Sequence, residues 1–576
     1  MKFIYKILLV VLVTSLTLTS CDMFKMDLQD DPNEVTSERA SLNDLYNNIQ
    51  LTFGRQIFEG AQRVPGRLAR MYHAGGSFDY ESLTSPTTFN GLWFAAYSTL
   101  FPDIDALLVL AEERGLDIHA GSAKIMKAYT LIALVDLFGN VPLSDAGQGT
   151  DVISPSADDG TSVYAAAVVL LDEAIAQMNS TLAAAPTSDL FYGGSAAKWV
   201  TFAKTLKLRV AITTRLTNGN AANEINSLVN AGDLIDEASE DFQFNYGNQR
   251  TNPNSRHPFY QTHYEVGDGV YLSNYYMWKL RADKIDADGV IQIDPRIRFY
   301  FRRKVDDAVN QDQTTFGCNF SAFPDQAFQP PHYAEIDPRL PYCIAWEDGY
   351  TGRDHLNGQG IPPDGPIRTS FGLYPGGGSF DYDQFTDTRQ QGTTGGLGQG
   401  IHPIMMSSFV DFMRAEAALM LGTSDDARAL LESGMRKSIA KVFSFASLVP
   451  GEMNTLIDSR VGTGPVSEVF VPDADEIDKY IAFVMDQYDN AASQEDKLNV
   501  LMTEYYLALW GNGLEAYNMY RRTGKPDNMA PGLDPAYGTF IRTFFYPDVY
   551  VNRNANAIQK ELTVPVFWDN ESIDLY

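Results

Sequence analysis

The chain has 576 residues, 44% of them hydrophobic, and a formal charge of −29 from 44 basic and 73 acidic side chains. That acidity excludes a nucleic-acid binder, which needs a basic footprint for phosphates, and it excludes adhesion of the protein surface to anionic lipid. The length suffices for several ordinary domains or one large elaborated one, and 30 tyrosines with 33 phenylalanines supply the flat, amphipathic surface on which sugar rings and peptides bind.

At the N-terminus, Lys2 and Lys6 precede an apolar run over residues 7–18, followed by small polar residues up to Cys21. This is the layout of a secretory signal peptide, with an apolar core too short to span about 30 Å of hydrocarbon, and cleavage removes residues 1–20. The sequence Leu18-Thr19-Ser20-Cys21 resembles a bacterial lipobox, in which the cysteine is acylated and becomes the new N-terminus. One acyl chain binds a membrane only marginally and several bind it stably. Cys21 is therefore the expected lipidation site, and residues 21–38, polar and acidic without apolar period, read as a tether. The remaining cysteines, Cys318 and Cys343, allow either a disulfide in an oxidising compartment or two buried thiols. Neither has a neighbour at metal-ligand spacing, so no metal is expected.

From 39 to 232 the pattern is helical. The segments 89–115 and 119–139 are long and periodic and end at Gly115 and Gly139, as glycine C-caps do. In the next segment Tyr164, Val168, Leu171, Ile175 and Met178 line one helix face, with Thr161 or Ser162 as the expected N-cap. Trp199, Ala203, Leu206 and Val210 line another. From 233 to 400 glycine, proline, Asn, Asp and aromatics crowd together and few stretches hold helical period beyond two turns. A loop-rich region of that length inside a folded chain is expected to carry binding. Helical period returns over 401–530: Met406, Val410, Met413, Ala417 and Met420 share a face, and further helices are expected over 424–443, 473–490 and 494–524. Residues 531–576 are an irregular C-terminal segment. The Met and aromatic stripes read as core packing. Helix pairs on both sides of an irregular region indicate one interrupted architecture, in which stacked pairs bury faces that no single pair can bury alone.

Catalytic signatures are missing. The turn Lys284 to Gly289 lacks an acid at the first loop position and has Pro295 where an EF-hand needs Glu. The stretch GTTGGLGQG (392–400) is neither a dinucleotide nor a P-loop fingerprint, no GxSxG elbow occurs, and the seven histidines include no HExxH pair. The chain thus reads as a binding protein without catalysis or cofactor.

Binding then falls to polar-tipped aromatics on loops. Three stretches offer them: NYYMWKL with Tyr275, Tyr276 and Trp278; PYCIAWEDGYTGRDH with Trp346, Asp348, Tyr350 and Arg353; and RMYHAGGSFDY with Tyr72 and Tyr80 flanking a Gly-Gly turn. Aromatic faces stack on the apolar side of a sugar, while Asp and Arg bond hydroxyls, peptide groups or carboxylates. His73 reads as a structural histidine.

Several stretches carry a family resemblance. LIALVDLFGNVPLSDA (131–146) is similar to the helix-end "YGdVP" segment of SusD/RagB outer-membrane lipoproteins, here Phe138 to Pro142. The run 162–178, Asp294-Pro295-Arg296, YPGGGSFD (374–381), FVDFMRAEAAL (409–419), EYYLALWGNGLEAYNMYRRTG (504–524) and FFYPDVYVNRNA (544–555) resemble further family segments in matching order. Tyr550 stands where the family often has Glu, and Asp22 is followed by Met-Phe-Lys where surface-exported members tend to carry acids. The resemblance implies a mainly α fold of stacked tetratricopeptide-like helix pairs, four in number, with a large loop-rich variable insertion. It also implies a lipoprotein anchored in the outer membrane and facing outward, which sits on a SusC-like TonB-dependent barrel and delivers to it an oligomeric nutrient. The aromatic content leans to an oligosaccharide; a peptide ligand and a ligand-free surface scaffold are the alternatives.

Overall fold

Amphipathic sequence becomes helix on both sides of the irregular region. The computed structural model describes residues 42–74, 76–179, 184–265, 271–306, 329–342, 348–358, 368–386 and 392–576. The signal segment, Cys21, the tether, Cys318, Cys343 and Trp346 lie outside the described residues. The first helical block comprises α1 (Leu42–Thr52), α2 (Phe58–Leu68), α3 (Phe101–Arg114), α4 (Asp117–Phe138), α5 (Gly160–Met178), α6 (Ala196–Thr213) and α7 (Ala221–Ala231). Each of α3 to α6 packs on its successor, so that neighbouring amphipathic helices bury their apolar faces against one another. Helix α4 is buried along nearly its whole length, from Ile118 to Phe138, and is the spine of this block. It stops at Gly139, whose φ of 70° suits a residue without Cβ. Gly115 ends α3 in the left-handed conformation.

Local chemistry moves two helix starts from their expected places. Helix α5 is capped by Asp159, whose carboxylate accepts from Thr161 N at 2.9 Å, not by Thr161 or Ser162. Gly160 takes the first helical position because a Cβ there would lie 3.0 Å from Gly139 O. The second block begins later than its apolar period suggests. Residues Ile401–Met405 form strand β4, antiparallel to β1 (Phe242–Asn245), and α8 has already formed at Asn274–Arg281, so the block itself consists of α9 (Ser407–Leu421), α10 (Ala427–Phe443), α11 (Ala474–Asn490), α12 (Gln494–Ala508) and α13 (Gly513–Thr523). Pro403 has no N–H for a helical bond, which favours the strand. Between the blocks α8 is the longest helix among the described residues, and β2 (Phe301–Arg302) pairs with β3 (Ser370–Phe371).

Buried charge pairs join elements far apart in sequence. Asp136 on α4 accepts from Arg209 Nη2 and Asn518 Nδ2, each at 2.8 Å, from Trp568 Nε1 at 3.1 Å and from the Tyr164 hydroxyl. Glu416 on α9 takes a two-pronged contact from Arg522 at 2.7 and 2.9 Å and a third bond from Arg215 at 2.9 Å. Burial alone would raise the Glu416 pKa; the two guanidiniums hold it below its usual value. Arg296 grips Asp294 and reaches Glu504 at 3.3 Å, with Lys284 3.0 Å from the same glutamate. A carboxylate left without these partners would be costly at such burial, so the pairs specify which helices meet.

Candidate ligand-binding site

Four short chain segments lie side by side where the insertion meets α2. Tyr72 bridges antiparallel to Leu272, and His73 N donates to Tyr271 O at 2.9 Å. Ser273 bridges parallel to Arg353, with Arg353 N donating to Leu272 O and Asn274 N to Arg353 O, both at 2.9 Å. Thr369 N donates to Thr351 O at 2.9 Å, and Phe371 continues into the β2–β3 pair. The extended backbone of these segments alternates its side chains and brings Tyr72, Tyr271, Arg353, Arg368 and Phe371 into one neighbourhood.

Beside this platform a cavity of about 220 Å³ is walled by Glu59, Arg63 and Arg67 and floored by Tyr72, Phe259, His263 and Phe371. Glu59, Arg63 and Arg67 follow at intervals of four residues, so α2 presents them in one row. The floor is aromatic: Phe259 stacks on Phe371 with centroids 4.3 Å apart, and Tyr72 and His263 meet Phe371 at 5.7 and 4.7 Å. Glu59 is engaged by Gln62 Nε2 at 2.8 Å and lies 3.3 Å from His402 Nε2. The Tyr72 hydroxyl is buried in the floor without a hydrogen-bond partner.

Several arginines gather in the neighbourhood. Arg353 and Arg368 each hold the guanidinium carbon 4.5 Å from the Tyr271 ring centre, a cation–π distance. Burial and the Arg63 charge lower the Arg67 pKa. Burial, followed by the Arg353 charge, takes His73 down to about 3. Burial, Arg368 and Lys304 take His263 well below its usual value. Both imidazoles are therefore neutral at physiological pH. His73 donates from Nδ1 to Asp354 O at 3.2 Å, in line with a structural histidine.

The residues expected at the site are distributed through the interior. Tyr72, Tyr80, Tyr275, Tyr276, Trp278, Tyr350 and Arg353 are all buried. Tyr80 donates to Tyr576 O at 2.7 Å and accepts from Arg70. Tyr276 donates to Leu507 O at 3.1 Å and Tyr275 to Asn528 Oδ1 at 3.3 Å. Helix α8 is buried from Asn274 to Leu280, so its rings cement the insertion onto α12. Trp278 lies under Lys279 and Arg339 at 5.6 and 5.7 Å, and Tyr350 under Arg303 at 5.0 Å. Asp348 is half-buried and 2.5 Å from Arg281 Nε. Of these residues the platform gathers Tyr72 and Arg353. Sequence reasoning passed over Tyr271, Arg63 and Arg67. The available signal was the four-residue spacing of Glu59, Arg63 and Arg67 along α2.

Two larger hollows lie elsewhere. An open polar cleft of about 700 Å³ runs between the insertion and α12, with Lys279, Asp337, Arg339, Asn499 and Asn528 among its walls. A groove of about 980 Å³ follows α5 to α7. Among the described residues, no group of three or more His, Cys, Asp or Glu side chains is arranged to hold a metal ion.

Residues 32–329 match a family model described as "Starch-binding associating with outer membrane", and residues 399–565 one described as "Susd and RagB outer membrane lipoprotein". The fold is similar to that of a chitin-binding SusD homologue from Flavobacterium johnsoniae, at 17% identity and a TM-score of 0.57 over 92% of this chain and 99% of that one. It is similar to a SusD/RagB family protein from Bacteroides thetaiotaomicron, at 19% identity and a TM-score of 0.60 over 92% and 99%. A SusD homologue from Bacteroides uniformis gives 18% identity and a TM-score of 0.59 over the same shares. No curated protein matches the sequence significantly.

Proposed function

The chain belongs to the SusD/RagB family of outer-membrane lipoproteins, and from that premise we propose that it captures an oligosaccharide at the cell surface and delivers it to a TonB-dependent outer-membrane barrel. Cys21 is the lipid-bearing residue in this reading, and residues 22–38 give the folded part reach from the membrane, facing outward. The protein binds and releases its ligand unchanged. The site is the platform and cavity beside α2. The observation that carries this assignment is the combination of an aromatic floor, built from Tyr72, Phe259 and Phe371, with guanidinium donors from Arg63 and Arg67 along one wall. A sugar ring has an apolar face that stacks on aromatic carbon and an equatorial rim of hydroxyls that needs fixed polar partners. The chitin-binding relative supports a saccharide over a peptide.

The test is calorimetric titration of the mature chain carrying Cys21→Ser with chitin, starch, acidic and sulfated oligosaccharides and with a peptide mixture. Saturable heat for one oligosaccharide class is the expected result. Binding of peptides alone, or of nothing, overturns the assignment. Delivery is tested separately, by co-purification of the wild-type lipoprotein with a large outer-membrane barrel from its native membrane.

A further inference from the structure

The candidate site sits in a protein of formal charge −29, yet the wall of its cavity carries two arginines, Arg63 and Arg67. Around the molecule buried or half-buried arginines hold carboxylates: Arg209 holds Asp136, Arg296 holds Asp294, Arg303 holds Asp381 and Arg522 holds Glu416. Arg63 and Arg67 differ. Among the described residues neither has a carboxylate within ion-pair distance, and they stand four residues apart on one helical face with their charges in mutual repulsion. The acid nearest to them in the row, Glu59, is spoken for by Gln62 and by its proximity to His402. Arg353 and Arg368 converge on the adjoining Tyr271 ring. A second, independent feature belongs to a residue lining the same cavity: the hydroxyl of Tyr72, a residue 3% exposed, has no hydrogen-bond partner. A buried hydroxyl normally has one, so this group is poised for an atom that the protein does not supply.

Building on the saccharide-capture reading, we propose that the cavity between Arg63, Arg67 and Tyr72 selects an oligosaccharide bearing acidic groups, carboxylate or sulfate ester, over a neutral one. Each guanidinium presents a planar fork of donors matched to paired anionic oxygens. The half-buried position of Arg67 keeps water from weakening that contact. Tyr72 donates its hydroxyl proton to an acceptor oxygen of the sugar held above the aromatic floor.

The test measures affinity of the Cys21→Ser mature chain for oligogalacturonates, sulfated galactan oligosaccharides and chitin oligosaccharides of equal length, at low and at raised salt. The acidic sugars are expected to bind at least about tenfold more tightly than the neutral one at low salt, with the margin shrinking as salt screens the contacts. Comparison of the two acidic arms identifies whether carboxylate or sulfate is the recognised group. Arg63→Gln with Arg67→Gln is expected to remove about tenfold or more of the acidic affinity and to weaken neutral binding by a smaller factor, since charge-assisted hydrogen bonds are the stronger ones lost. Equal affinity for neutral and acidic sugars, or acidic binding indifferent to salt, overturns the inference while leaving saccharide capture standing. Silence towards every oligosaccharide overturns both. The salt and ligand comparisons use the unsubstituted site and so hold even if the double variant misfolds.

Discussion

Replacing Asp136 should release the helical core at the point where five elements meet. The carboxylate is fully buried and satisfies donors from α5, α6, α13 and the C-terminal segment, through Tyr164, Arg209, Asn518 and Trp568. Its own backbone carbonyl also accepts from Arg521 at 2.8 Å, a bond that the side-chain change spares. Asp136→Ala strips one of the two carboxylates from Arg209, which keeps Glu515 at 2.7 Å, and orphans three further donors. Breaking a buried ion pair by removing one partner costs about 3–5 kcal/mol, and orphaned donors add about 1–3 kcal/mol each when they cannot relax. These terms overlap within one network, and the retained Glu515 contact moderates the first, so the expected loss is about 4 kcal/mol. Asp136→Asn keeps one acceptor oxygen and should lose about 2 kcal/mol. Against a typical total of about 5–15 kcal/mol, the alanine variant loses a large share of its stability. Urea unfolding followed by far-ultraviolet dichroism and by tryptophan fluorescence measures the loss, and coincidence of the two probes checks the two-state assumption. Adding Arg209→Met to Asp136→Ala should leave Glu515 as the uncompensated group and give no recovery. A loss below about 1 kcal/mol for Asp136→Ala, or an asparagine variant weaker than the alanine one, would refute the reasoning.

Three other expectations concern packing, capping and pH. Gly513→Ala places a Cβ 2.4 Å from Gln62 O and from Gly66 Cα, backbone atoms that cannot step aside where α13 crosses α2; a loss of about 1–3 kcal/mol is expected. Gly91→Ala, which meets nothing within 4 Å in its helix, should be neutral or stabilising by up to about 1 kcal/mol. Asp473→Ala removes the side-chain half of the capping box at the start of α11, the bond from Glu476 N, and leaves the Asp473 N–H to Glu476 half in place; it should lower stability by about 1 kcal/mol in the same denaturation assay. His73, with a folded pKa of about 3 against about 6.5 unfolded, binds its proton first in the unfolded chain. Its contribution is complete above pH 6.5 and declines by about 1.4 kcal/mol per unit as pH falls towards 3, about 2 kcal/mol at pH 5. His257, His263 and His355 are shifted in the same direction by burial. Thermal melts at pH 7.5 and pH 5 should show a marked acid loss that His73→Gln reduces, and an unchanged pH slope in that variant would contradict the burial argument.

The helices were legible because their period is written locally. Apolar residues three and four apart lead to α4, α5, α6, α10 and α11, and Gly115 and Gly139 announce two of the helix ends through a backbone conformation that L residues avoid. The family segments were legible too, and the structure gives their physical content: Asp294-Pro295-Arg296 meets Glu504, Glu416 meets Arg522, and Phe138 O accepts from Lys560. Those residue types are required because each buried charge needs its opposite from another part of the chain. The site was far less legible. A tyrosine is suited equally to a wet binding face and to a core with a carbonyl within reach of its hydroxyl, and Tyr80, Tyr275 and Tyr276 take the second environment. Arg63 and Arg67 acquire meaning only when Phe259 and Phe371, from two distant segments, join Tyr72 beneath them. Periodicity and charge balance are properties of neighbours in sequence and determine the scaffold; which side chains face a cavity depends on long-range packing, and that was decided by the tertiary structure alone.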